Sequence, residues 1–154
     1  AKPALLTEIA AAVGRQSVVA VLDVRKRIGL FAKGYEVCTH NNKTVHKLDP
    51  VALAKQFQDA GAGEVVINSV DRDGLMQGYD LELATQVKQA LKVPVTFLGG
   101  AGSLDHVAEL IAKLGVVGAA AGSLFVFKGK YRAVLISYPT PEQKLQVCRE
   151  ALKY

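Results

Sequence analysis

From Pro50 onward the chain alternates helical and strand patterns at a spacing that leaves little choice of architecture. A helical period over 50–61 leads into EVVINSV, the loop DRDGLMQGYD, and a second helical stretch over 81–91. VPVTFL, the loop GGAG, a helix over 103–114 and VGAAA follow. Strands separated by single helices cannot pair as hairpins, so they must lie parallel and be joined by right-handed crossovers. Upstream, QSVVAVLDV is a β-branched apolar run ending at Asp23, of the kind buried on both faces in a parallel sheet. Four parallel strands are therefore expected. Segment 25–48 carries a partial alternation at 35–39 and the turn-forming pair Asn41-Asn42, so a hairpin excursion is expected between the first strand and the helix at 50. Residues 1–14 read as a leading amphipathic helix and 140–154 as a terminal one, with no low-complexity linker between. The leading helix stands where a βα unit would have its second element, as if its own strand lay further upstream.

At 154 residues the chain suits one domain, and falls short of the roughly 250 of a complete eight-stranded barrel. Hydrophobic residues make up 50% and charged residues 21%, the balance of a packed globule rather than a disordered chain. No apolar run nears the roughly 20 residues that cross a bilayer, so no membrane role and a cytoplasmic location are expected. Cys38 and Cys148 have neither CxxC nor Cys/His spacing, and both are expected reduced. The net charge of +5 comes from lysines and arginines scattered along the chain, with no nucleic-acid signature. A basic pocket for a phosphorylated metabolite accounts for it as well.

In parallel α/β folds ligands sit beyond the carboxyl ends of the strands, so the residues just after each strand carry the functional information. Gly99, Gly100 and Gly102 stand before Ser103 at a helix start, and Gly122-Ser123 repeats the design one unit later. Glycines admit a close approach of backbone N–H groups to an anion. Two adjacent loops of this kind point to a phosphate site, the alternative being that they are only caps and tight turns. Asp23 ends an apolar strand, where an uncompensated carboxylate is costly. Either Arg25 or Lys26 pairs with it, or it faces an open site as a general acid or base. Asp71 and Asp73 could cap a turn or helix; Asp73 is favoured as a substrate contact because Gly74 lets the loop turn over the site. His40, His46 and His106 lack ligand spacing and are expected at the surface, so no metal is expected.

VVAVLDVRK, GAGEVVINSVDRDGLMQGYDLE, FLGGAGS and AAAGSLFVF together resemble the cyclase subunit of imidazole glycerol phosphate synthase, from Lys2 to about Pro139. The resemblance covers the second half of that family's barrel, and implies an α/β fold that is half of a (β/α)8 TIM-type barrel. It implies that Asp23 is catalytic, that Asn68 and Asp73 contact substrate, and that Gly74, Gly99, Gly100, Gly102, Gly122 and Ser123 hold phosphate. Glu64 matches a charged residue ringing an ammonia entrance, with Gln16 near that face. The implied reaction uses ammonia from a partner glutaminase to open and cyclise a phosphorylated ribulosyl aminoimidazole precursor, a step of histidine biosynthesis, and needs no metal or organic cofactor. A second catalytic aspartate and a first phosphate site belong to the family's other half. Leu98 stands where histidine-pathway cyclases have a serine, and KGKYRAVLISYP is more like paralogues that amidinate acetamido sugars. The competing expectation is a non-catalytic phosphate-binding half-barrel. Either way a bare inner sheet face and two open edges predict a homodimer or higher even oligomer.

Overall fold

The computed structural model describes residues 3–29, 32–40 and 42–151. Asn41 of the expected turn, and the outermost residues of the leading and terminal helices, lie outside the described residues. Helix α1 (Pro3–Val13) and a short 3-10 turn (Arg15–Ser17) precede β1 (Val19–Lys26). Next come β2 (Tyr35–Thr39), β3 (Thr44–His46), α2 (Pro50–Asp59) and β4 (Glu64–Ser69). These are followed by α3 (Leu81–Ala90), β5 (Val95–Leu98), α4 (Leu104–Leu114) and β6 (Gly118–Ala119). The chain continues through the single turn α5 (Ser123–Val126), the hairpin β7 (Phe127–Lys128) and β8 (Ala133–Val134), and α6 (Pro141–Ala151).

The starts of the three crossover helices follow from side chains. Asp49, Asp80 and Ser103 each accept a hydrogen bond from a backbone N–H of the first turn, and Pro50 occupies a position where its missing N–H costs nothing. The parallel strands run β1-β4-β5-β6, as the alternation predicts. The main sheet nevertheless has six strands rather than four, in the order β3-β2-β1-β4-β5-β6. The expected hairpin does not stand off on a loop: β2 pairs antiparallel with β1 over Asp23↔Cys38 to Lys26↔Tyr35 and so covers the carboxyl-terminal half of one of the two edges expected to be open. Buried Tyr35 and Val37 give it the apolar anchor that holds it there.

Alternation along each strand sorts the two faces. Ala20, Leu22, Val24, Val65, Ile67, Val95 and Phe97 are buried with Leu83, Val87 and Leu110 of the helices, and this is the core. Removing so much apolar surface from water dominates the stability of this layer. On the opposite face Val19 and Val21 are 49% and 60% exposed. The described chain is thus a partial (β/α) barrel wall with helices outside and a bare inner face.

Candidate functional site

Register places Asp23, Asn68 and Leu98 side by side on three adjacent strands, on the inner face near the carboxyl ends. The Asn68 amide donates from Nδ2 to Asp23 Oδ1 at 2.9 Å. Arg25 instead pairs with Glu36 at 2.9 Å and Lys26 approaches Asp80 at 3.9 Å, so neither basic neighbour neutralises Asp23. Asn68 Oδ1 is buried and has no hydrogen-bond partner among the described residues. An orphaned acceptor of this kind costs about 1–3 kcal/mol, and asks for a donor. Cys38, across the hairpin pairing from Asp23, has its thiol pushed up by burial and then by that carboxylate, so it is a poor nucleophile.

Beside this layer the two glycine loops converge. Asp73, Gly74, Leu98, Gly99, Gly100, Gly122 and Ser123 line one small cavity of about 10 Å3, room for roughly one water. Gly102 is not among them: its N–H donates to His106 Nδ1 at 3.1 Å, which also makes His106 a half-buried partner rather than a surface residue. His46 is likewise half-buried, bonded through Nε2 to Thr39 Oγ1 at 2.9 Å. A Cβ on Gly99 would lie 2.5 Å from the Ser69 carbonyl oxygen, and one on Gly100 would collide with that of Gly78. These glycines therefore make room for protein backbone, whereas Gly122 faces open space.

The β4–α3 loop, residues 70–80, is fixed from both ends. Asp71 accepts from the Lys26 backbone N–H at 2.6 Å, which ties the loop to the end of β1. Buried Asp80 caps α3, accepts from Tyr35 Oη at 2.9 Å and faces Arg72 at 3.8 Å. Burial and then Asp80 push the Tyr35 phenol up. Sequence reading missed this network, because nothing in the string pairs Tyr35 with a residue 45 positions on. Asp73 remains exposed at the cavity rim.

At the amino ends of the strands Glu64 accepts from Thr96 Oγ1 at 2.6 Å. Gln16 lies at the same end, its Cα 3.0 Å from where a Cβ on Gly63 would sit. Glu64 and Asp23 thus occupy opposite ends of one face. Among the described residues no group of three or more His, Cys, Asp or Glu could hold a metal ion, and no helix is long and apolar enough to cross a membrane.

Residues 1–132 match a protein family described as histidine biosynthesis protein. The chain is 50% identical over 142 residues to a Vibrio vulnificus protein named for imidazole glycerol phosphate synthase subunit hisF3, covering 92% of this chain and 54% of that one. It is 46% identical over 152 residues to a Leptospira interrogans protein named for subunit HisF, covering 99% and 57% respectively. A Pseudomonas aeruginosa protein named for subunit hisF2 is 44% identical over 135 residues, covering 88% and 53%. The chain spans about half the length of the curated relatives it matches.

Proposed function

The chain belongs to the histidine biosynthesis protein family, and from that membership we propose that it furnishes one half of an ammonia-dependent cyclase of the imidazole glycerol phosphate synthase type. Its substrate would be a phosphorylated ribulosyl aminoimidazole precursor, handled in the cytoplasm without metal or organic cofactor. The observation that carries this reading is the Asp23–Asn68 pair set beside the cavity lined by Gly74, Gly99, Gly100, Gly122 and Ser123. A carboxylate with no ion-pair partner among the described residues can accept or return a proton, and the open Asn68 Oδ1 offers a substrate N–H or O–H a partner. Phosphate would enter by displacing the Asp73–Gly74 turn and would bind backbone donors of the glycine loops. Ammonia from a glutaminase subunit would pass the Glu64–Thr96 pair at the far end, with Gln16 beside it.

Leu98 favours a second substrate within the same chemistry. It sits in register with Asn68 and lines the phosphate cavity, so this layer lacks a hydroxyl that a serine would offer. Amidination of an acetamido sugar fits that less polar layer. A second carboxylate is needed for paired acid–base work, and a homodimer formed on the bare inner face would bring a second Asp23 across a two-fold axis.

Gly122→Asp tests the phosphate site, because it puts a negative charge into open space at the cavity without the collision that any substitution of Gly100 brings. Inorganic phosphate should bind the unaltered chain and fail to bind this variant. Ammonia-dependent turnover, assayed with the chain alone and mixed with an amino-terminal half from a relative, should vanish in Asp23→Asn. Phosphate binding without turnover in either assay would leave the non-catalytic half-barrel as the function.

A further inference from the structure

Gly102 lines a second cavity, of about 470 Å3, that includes none of Asp23, Asn68 or the glycines lining the small cavity. Its lining includes Met76, Phe125, Phe127, Lys128, Arg132 and Tyr138, and no aspartate or glutamate. Among the described residues neither Lys128 nor Arg132 forms an ion pair. The contrast with a larger cavity, about 1220 Å3 between α3, α4 and α6, is one of sign. There Glu82, Asp105, Glu109 and Glu150 face Lys113. An anion is therefore repelled from the 1220 Å3 cavity and drawn to the 470 Å3 one.

Arg132 is exposed, and two hydrogen bonds orient it. Its Nη2 donates to the Gly74 carbonyl at 3.2 Å, and its backbone N–H closes a turn on the Gly129 carbonyl at 3.0 Å. It does so at φ 49°, a left-handed conformation unusual for a side chain of this size. Met76, at φ 59°, lines the same cavity. Backbone held in this region concentrates at binding sites, where surrounding structure fixes a side chain against a cost. The third ingredient is aromatic: Phe125 and Tyr138 pack with ring centroids 5.0 Å apart, tilted by 55°, and Phe127 adds to the wall.

We propose that this cavity is a binding site for a phosphorylated ligand with a flat aromatic body, of nucleotide size. The phosphate lies on Lys128 and Arg132, and the ring lies against Phe125, Phe127 and Tyr138. Arginine supplies a planar fork of donors suited to phosphate, and lysine a second charge. The volume falls in the range of small-ligand pockets, roughly 300–1,000 Å3. A neutral apolar ligand would leave the two cations unused. A long nucleic-acid strand would require a basic track beyond this one cavity.

The test is calorimetric titration of the chain with uridine 5′-diphosphate and adenosine 5′-diphosphate, against inorganic phosphate and uridine as partial probes. At least one diphosphate should bind about tenfold or more tighter than either partial probe, because only it meets both cations and rings. Lys128→Ala combined with Arg132→Gly should lose about tenfold or more; glycine takes the left-handed turn without strain, so the variant keeps its fold. Tyr138→Ala should weaken the diphosphate and leave phosphate unchanged. Asp23→Asn and Gly122→Asp should leave nucleotide affinity unaltered, which separates this site from the strand-end site whatever becomes of the latter. The proposal is overturned by nucleotide affinity no better than that of phosphate or uridine. Equal affinity in the Lys128/Arg132 variant overturns it too, as does an oligonucleotide that binds far tighter than any mononucleotide.

Discussion

Asn68 reaches across from β4 to donate a 2.9 Å hydrogen bond to Asp23 of β1, and in doing so turns its own carbonyl oxygen toward a buried position with no partner among the described residues. The carboxylate dictates that orientation, since an oxygen facing an oxygen would repel. Asn68→Leu removes both the bond and the orphaned acceptor, so the two changes offset each other. Its stability by urea denaturation should fall by no more than about 1 kcal/mol, while substrate affinity should drop severalfold. A large stability loss with unaltered substrate binding would assign Asn68 to the scaffold alone.

Tyr79 gives the fold an alkaline limit. Burial pushes its phenol up to about 12, and its Oη donates to the Ala120 carbonyl at 2.9 Å. The folded state therefore keeps this proton after the unfolded chain, at about 10, has lost it. Its contribution is fully present below pH 10 and is lost as pH rises from 10 to about 12. Denaturant midpoints measured from pH 9 to 12 should fall across that window. Tyr79→Phe should start lower, by about 1 kcal/mol for the lost hydrogen bond, and decline less steeply.

Gly100 and Gly122 look equivalent in the sequence and should behave oppositely. Gly100 has φ 103°, and a Cβ there meets the Gly78 backbone, whose N–H donates to the Gly100 carbonyl at 2.8 Å. Gly100→Ala should cost about 3 kcal/mol or more and free the 70–80 loop. Gly122→Ala, at φ −102° with nothing near, should be within about 0.5 kcal/mol of neutral. Thermal unfolding of the pair decides it.

What the string revealed follows from which interactions are local. Helix periods, the helix start at Ser103 and the apolar strand ending at Asp23 are written within a few residues, and the parallel order follows from them. The hairpin was visible, but its docking on the β1 edge was not, because that depends on Tyr35 meeting Asp80 across the fold. The glycine loops were visible as loops. That Gly102 gives its N–H to His106, and that Gly99 and Gly100 clear space for Ser69 and Gly78, depends on chain segments far apart in sequence. The β7–β8 hairpin that carries Arg132 was missed altogether, its two-residue strands being too short for any alternation to register.

The bare inner face yields the last prediction. Val21 is 60% exposed beside Val66 and one register step below Asp23, so a second copy seated on this face would bury it while bringing the two Asp23 layers together. β2 covers the β1 edge over Asp23–Lys26, leaving only the short Val19–Leu22 stretch. The edges β3 and β6 are three and two residues long, so edge pairing offers a second copy short ladders only. Association should therefore depend on the face. Val21→Glu changes a side chain already in water, so it should alter the stability of a single chain by no more than about 0.5 kcal/mol. Buried between two copies, the same carboxylate would be desolvated twice over by symmetry, which is severely unfavourable. Light scattering should give an even multiple of the 16.4 kDa chain mass for the unaltered protein and the single-chain mass for Val21→Glu. A matching loss of any turnover shown by the chain alone, but not of turnover restored by a relative's amino-terminal half, would tie catalysis to a shared Asp23 cavity. An unaltered protein that is monomeric at all concentrations would sink the paired-carboxylate arrangement.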